Sequence, residues 1–160
     1  MINLISVRMV VPEETNIIIG QAHFIKTVED IYEAMVHTPQ VRFGLAFNES
    51  SGDCLIRGEG NDDGLRQAAI ENAKALGAGH VFVLLLQNAY PINVLHPIRN
   101  VPEVCGIFCA TANPVEVVLA ESEQGRGVLG VIDGSSPKGV EDEAGVIWRH
   151  DLLRRLGYKR

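Results

Sequence analysis

Several things are scarce in this sequence, and each shortage closes off a class of protein. There are three cysteines, Cys54, Cys105 and Cys109. The odd count and lack of a paired framework argue against a disulfide-stapled domain and lead to the expectation of a reducing, cytoplasmic setting. Cys105 and Cys109 lie four residues apart. On a strand they would share a side at about 13 Å, too far for one disulfide or one zinc ion, so both read as core thiols. No apolar run approaches the roughly 20 residues of a membrane span. The opening MINLISVRMVVPEE is apolar, but it has no basic leader and no small-residue cleavage pattern, so a signal peptide is not expected. Positive charge is in deficit: 14 Lys and Arg stand against 20 Asp and Glu, a net charge of -6. A general nucleic-acid binder needs a basic face to displace counterions, so none is expected here. The bases Arg149, His150, Arg154, Arg155, Lys159 and Arg160 gather at the end of the chain, where they suit a helix C-terminus. The G-x-x-x-x-G-K-[ST] signature is missing, and so are H-R-D and D-F-G, which sets aside P-loop and protein-kinase folds.

What the sequence does contain is enough apolar material for a core. Of 160 residues, 46% are hydrophobic and 21% charged, which fits a single globular domain over residues 1–160. Residues 2–11 and 17–19 read as strands, ended by Pro12 and Gly20. A helix follows, with Thr27 and Asp30 at capping-box spacing and Val28, Ile31, Tyr32 and Met35 on one face. Strands at 41–47 and 54–57 flank a turn and read as a hairpin. A second helix spans 62–76, its alanines implying close packing on a sheet, and Gly77 stops it. The continuous apolar run His80 to Leu86 reads as a central strand buried on both faces. Residues 91–100 suit a short helix or helical turn, since Pro97 opposes a long one. Strands at 104–110, 115–120 and 128–132 come next, then a last helix over 141–156. Helices interleaved with hairpins give an α/β fold with a mixed sheet covered by helices.

The stretch Gly125 to Glu141, GRGVLGVIDGSSPKGVE, is the main candidate for chemistry. Gly125, Gly127 and Gly130 satisfy G-x-G-x-x-G, but the sequence continues as strand and turn where a dinucleotide fold would open a helix. Its amides, with Gly134, Ser135 and Lys138, suit a phosphate-facing loop; the competing reading is a strand followed by turns. Asp133 and Glu141 are candidate Mg²⁺ ligands beside phosphates, or simply a turn residue and a helix-start acid. Asn93, Asn100 and Glu103 flank the proline-containing turn and either bind a base or ribose or cap the turn. Among five histidines, His80 stands out because it sits where a helix stop feeds a buried strand. An imidazole there can take a proton or act as a nucleophile, or merely bond to backbone.

Four long segments carry more than any short motif: GHVFVLLLQNAYPINVL (79–95), NVPEVCGIFCATANPVEVVLAE (100–121), QGRGVLGVIDGSSPKGVE (124–141) and LRRLGYKR (153–160). They resemble the small prokaryotic adenosine-specific kinases, as does RFGLAFNESSG (42–52). The resemblance implies a three-layer α/β/α sandwich and a homo-oligomer, a trimer or hexamer. It also implies binding of adenosine or of AMP, ADP or ATP with Mg²⁺, and a phosphorylated histidine, which the Gly-His-x-Phe match carries to His80. His96-Pro97 departs from the family's Asn-Ala, and Asn48 stands where a cysteine is usual. An alternative reading is an adenine-nucleotide-binding oligomer without turnover.

Overall fold

The computed structural model of the chain describes residues 1–160. Its elements are β1 (Asn3–Arg8), β2 (Asn16–Ala22), α1 (Thr27–Val36), β3 (Arg42–Asn48), β4 (Ile56–Gly60), α2 (Asp63–Leu76), β5 (Val81–Gln87), α3 (Pro91–Arg99), β6 (Val104–Thr111), β7 (Val115–Glu121), β8 (Arg126–Asp133) and α4 (Glu143–Arg155). The fold is α/β, but the single mixed sheet expected from the sequence is replaced by two sheets. Five strands run in the order β4-β3-β5-β2-β6, and three in the order β1-β7-β8. Every strand ladder is antiparallel. The one parallel contact is an isolated bridge between Ala78 and Arg126.

The central position of β5 follows from its sequence. Val81 to Leu86 are all buried, and alternate side chains enter two different cores. Phe82, Leu84 and Leu86 join Ile31, Met35, Val94 and Ile98 from α1 and α3. Val81, Val83 and Leu85 join Leu65, Ala69, Ala73 and Leu76 of α2, together with Val115, Val117 and Leu119 of β7. One face of the large sheet is therefore covered by helices, and the other by a helix and the small sheet together. An apolar side chain every second residue on both faces is what makes such a strand a continuous hydrophobic run.

The alanines of α2 do mark close packing. Ala69 and Ala73 are fully buried, and a side chain at Gly44 of β3 would stand 2.1 Å from the backbone of Leu65 and Arg66. Asp62 caps α2 by accepting from the Leu65 amide at 2.8 Å, and Gly77 ends it at φ 58°. The expected capping box of α1 is not formed. Thr27 Oγ1 turns back to donate to Phe24 O at 2.5 Å, and Asp30 pairs with Lys26 instead. The strand after the first hairpin turn runs from Ile56 to Gly60, starting and ending later than the expected 54–57.

The core-thiol expectation holds for Cys109 and is corrected for Cys105 by register. Between β2 and β6 the pairing slips twice, so that Phe108 and Cys105 are extra residues on β6. Each bulge reverses the alternation of side chains. Cys109 is consequently buried, while Cys105, like Cys54, is exposed and free. No helix is long and apolar enough to cross a membrane.

Candidate functional site

Antiparallel pairing places the strand ends in two groups. At one end lie the start of β5, the ends of β2 and β3 and the start of β8. At the other lie the end of β5, the starts of β2 and β7 and the ends of β6 and β8. Each group surrounds a cavity, about 770 Å³ at the first end and about 780 Å³ at the second.

His80 belongs to the first end. α2 must reverse there to feed β5, and the residues Gly77 to His80 make the reversal. Gly79 touches the side chain of Ser50: a Cβ on it would lie 2.6 Å from Ser50 Cβ. His80 itself has φ 61°, a left-handed conformation in which histidine is several-fold more common than most side chains. Its amide donates to Asn48 O at 2.7 Å, and its carbonyl accepts from the Ala22 amide at 2.9 Å. The imidazole makes no hydrogen bond. It stacks on Phe47, with ring centroids 5.7 Å apart and planes 20° from parallel. Asn48 fixes the junction from beneath: its amide nitrogen donates to Ala73 O at 2.9 Å and to Ala78 O at 3.0 Å. Its Oδ1 is buried without a partner.

The cavity beside this junction is lined by Asn48, Ser50, Lys74, Gly79, Gly125 and Arg126, among others. Arg126 Nη1 donates to the carbonyls of Ala75 and Leu76 at the end of α2 (3.2 and 3.4 Å), where a cation meets the negative end of the helix dipole. Its Nε donates to Glu121. Gly125 and Gly127 of the glycine triplet therefore lie at the His80 end, while Gly130 lies farther along β8.

The remainder of the candidate loop is elsewhere. A strand of this length puts about 23 Å between Arg126 and Asp133. Asp133 and Gly134, with Ser135 next in the chain, stand at the second end, where Gly134 N donates to Pro114 O at 2.9 Å and Asp133 accepts from Asn113 at 3.1 Å; Lys138, five residues beyond Asp133, has no ion-pair partner. Glu141 accepts two hydrogen bonds from Arg149, at 2.7 and 3.2 Å. That guanidinium holds the Glu141 carboxyl below the usual carboxylate range. Asn93 turns inward to cap α3, its Oδ1 accepting from the Tyr90 amide at 2.8 Å. Glu103 is buried at the first end, pairing with Lys26 at 3.2 Å. A Mg²⁺ ion shared with phosphates needs one or two free carboxylates. Glu141 is committed to Arg149, Asp133 is remote from His80, and no three His, Cys, Asp or Glu side chains gather anywhere into a metal-binding group. Asp133 and Glu141 thus do not assemble a magnesium site with His80 in one chain.

The geometry of the His80 junction gains meaning from the comparisons with known proteins. A family model described as adenosine specific kinase matches residues 7–159. The chain belongs to the adenosine-specific kinase family. The PH1918 protein from Pyrococcus horikoshii OT3, known from a crystal structure, is 42% identical to it with a TM-score of 0.96. That similarity covers 100% of this chain and 99% of the other. No curated protein matches. In this adenosine-specific kinase family member, the residues that sequence reasoning overlooked at the His80 end are Arg126, Lys74, Asn48 and Ser50. Arg126 had a signal, since it stands between two of the glycines singled out. The buried amide of Asn48 had none, because only the folded chain brings the end of α2 to it.

Proposed function

We propose that the protein is a kinase-like phosphotransferase that binds adenosine or adenine nucleotides, with His80 as the phosphoryl acceptor. One observation carries the reading: a histidine in a left-handed conformation, stacked on Phe47 and free of side-chain hydrogen bonds, whose chain neighbour Gly79 lines a cavity holding Lys74 and Arg126 beside Glu49 and Glu121. Non-glycine residues in such conformations concentrate at functional sites. In the step envisaged, the lone pair of a ring nitrogen attacks the terminal phosphorus of ATP. A P–N bond forms, the P–O bond to ADP breaks, and ADP departs with that electron pair. The proton on the other ring nitrogen is then lost to solvent. Phosphoryl transfer depends mostly on positioning and charge stabilisation. Lys74, Arg126 and the amides near Gly125 and Gly127 are the groups that would supply them. Magnesium bound to ATP would add further neutralisation of the phosphates.

The test is transfer of label from γ-³²P-ATP to wild type and to His80→Asn, a replacement that tolerates the same backbone conformation. We expect acid-labile label on the wild type and its loss from the variant. Undiminished labelling of His80→Asn would remove this role.

The bare imidazole also favours a second reading, a nucleotide-binding oligomer without turnover, because no carboxylate or carbonyl orients the ring as a general base would require. Calorimetry with adenosine, AMP, ADP and ATP beside a turnover assay separates the two. In either case we propose a homo-oligomer. α4 buries none of its residues, and Ile147, Trp148 and Leu156 are 57–63% exposed. A helix of this length is marginal in water on its own. A second copy covering it, together with Leu4, Leu129 and Ile132 on the small sheet, explains its apolar residues.

A further inference from the structure

The cavity at the end of the strands opposite His80 lies among the loops before β2, after β5 and between β6 and β7. Those loops are tied together. Gln87 Nε2 reaches across to donate to Glu13 O at 3.2 Å and to Thr15 Oγ1 at 2.9 Å. At about 780 Å³ the cavity is of small-ligand size.

Its charge is of one sign. Glu13 and Glu14 are part of the wall, and no lysine, arginine or histidine is. Neither carboxylate has an ion-pair partner, since the salt bridges of the chain all join other residues. A third carboxylate, Asp133, stands behind Asn113 and accepts from its Nδ2 at 3.1 Å. An anion is repelled here, in contrast to the cavity of Lys74 and Arg126.

The wall also holds acceptors that lack donors. Asn16 opens β2 and is 7% exposed. Its Nδ2 donates to Ala89 O at 3.4 Å, which fixes the carboxamide and turns Oδ1 the other way. That oxygen belongs to a residue of the cavity wall and accepts from nothing in the chain. A buried carboxamide oxygen of this kind requires a donor from elsewhere. Asn113 is arranged alike: its NH₂ faces Asp133, and its Oδ1 is left without a donor. A group that supplies donors to these oxygens and charge to Glu13 and Glu14 carries N–H bonds and a positive charge. The rest of the wall suits an organic cation. Met9, Val11 and Pro114 offer apolar contact for a hydrocarbon stem, and the ring of Tyr90, 63% exposed, offers a face that attracts cations. A bare divalent metal is served less well, because no three His, Cys, Asp or Glu side chains gather there.

We infer that this cavity binds an aliphatic amine in its ammonium form. The N–H donors meet Asn16 Oδ1 and the carboxylates of Glu13 and Glu14, and the stem lies on the apolar wall. The length of β5 puts about 20 Å between this site and His80, so the inference stands apart from the phosphoryl chemistry.

Calorimetric titration with 1,4-diaminobutane tests it, beside the neutral counterpart 1,4-butanediol, at low ionic strength where screening is weak. The proteins compared are wild type, the double variant Glu13→Gln with Glu14→Gln, and Glu29→Gln, which removes an exposed carboxylate of α1 outside the cavity. A thermal melt of each checks that it folds. We expect saturable binding of the diamine and none of the diol, affinity lower by about tenfold in the double variant, and no change in Glu29→Gln. In ¹⁵N-resolved NMR spectra the side-chain amide of Asn16 should shift as the diamine saturates. No saturable diamine binding by the wild type, wild-type affinity in the double variant, an equal loss in Glu29→Gln, or an unmoved Asn16 amide overturns the site.

Discussion

Asn48 spends both amide hydrogens on the carbonyls of Ala73 and Ala78, which also accept from the Gly77 and Val81 amides at 3.0 and 3.4 Å. Removing this buried donor forfeits two hydrogen bonds, each with a net contribution of about 0.5–1.5 kcal/mol. Asn48→Ala should lower the urea midpoint accordingly with an unchanged slope; a shift below about 0.5 kcal/mol, the scatter of neutral surface changes, would contradict this. The thiols differ just as sharply. Burial, and secondarily the negative charge of Asp133, push Cys109 up to about 11. Thiolate is the reactive form, so at neutral pH a thiol reagent should titrate two cysteines, Cys54 and Cys105, and reach the third only on unfolding. Rapid reaction of all three in the native protein would refute the packing of β6. The glycines also separate into two kinds. Gly44 meets the backbone of α2, and neither strand nor helix can yield there. Gly44→Ala is expected to cost about 3 kcal/mol or more, whereas Gly127→Ala and Gly130→Ala, which face open space, should melt like the wild type. Parallel thermal melts of the three variants decide this.

Among the elements, α2 shows how a local signal and a tertiary one reinforce each other. Asp62 satisfies an orphan amide at its start and also pairs with Arg42 from the edge of β3. The Leu65 amide first, and then Arg42, hold its carboxyl below the ordinary 3.8. A carboxyl whose folded pKa is depressed stabilises the fold above its unfolded pKa. That contribution is lost as the pH falls through the folded value. Asp62→Ala should therefore cost about 1 kcal/mol at neutral pH, and the gap between variant and wild type should close in acid. Urea unfolding at about pH 6 and about pH 3 measures it; a gap that persists in acid would mean that Asp62 acts by packing and not by charge. By contrast, α1 begins without its expected cap, because Thr27 is drawn back to Phe24 and Asp30 to Lys26 and the neighbourhood of Glu103. Spacing alone cannot tell a capping threonine from one turned the other way.

At the scale of the whole molecule, α4 is the element that one chain does not explain. The single tryptophan, Trp148, is 61% exposed on it. If a second copy covers this helix, light scattering should give a multiple of the chain mass, and Trp148 emission should shift to the red on dilution. Ile147→Glu with Leu156→Glu should reduce the mass to that of one chain while the body keeps its melting behaviour. A monomeric wild type would refute the covered helix.

The sequence by itself determined most of the parts. The apolar runs and their boundaries placed all four helices and all eight strands near their true positions, because periodicity and glycine or proline stops act over a few residues. The family was legible in the same way, in long contiguous blocks. What only the tertiary structure decided was which parts meet. Gly125 to Glu141 read as one phosphate-facing stretch with a strand at 128–132 inside it, yet β8 runs from Arg126 to Asp133, and about 3.3 Å of rise per residue carries Asp133 and Gly134 away from Gly125 and the His80 end. Pairing between β5 and its neighbours, remote in sequence, gathered Asn48, Arg126 and Lys74 at one end and Tyr90, Asn88 and Asn113 at the other. Contiguity in sequence measures distance along the backbone, whereas a binding site is a matter of which strand ends the sheet registers bring together.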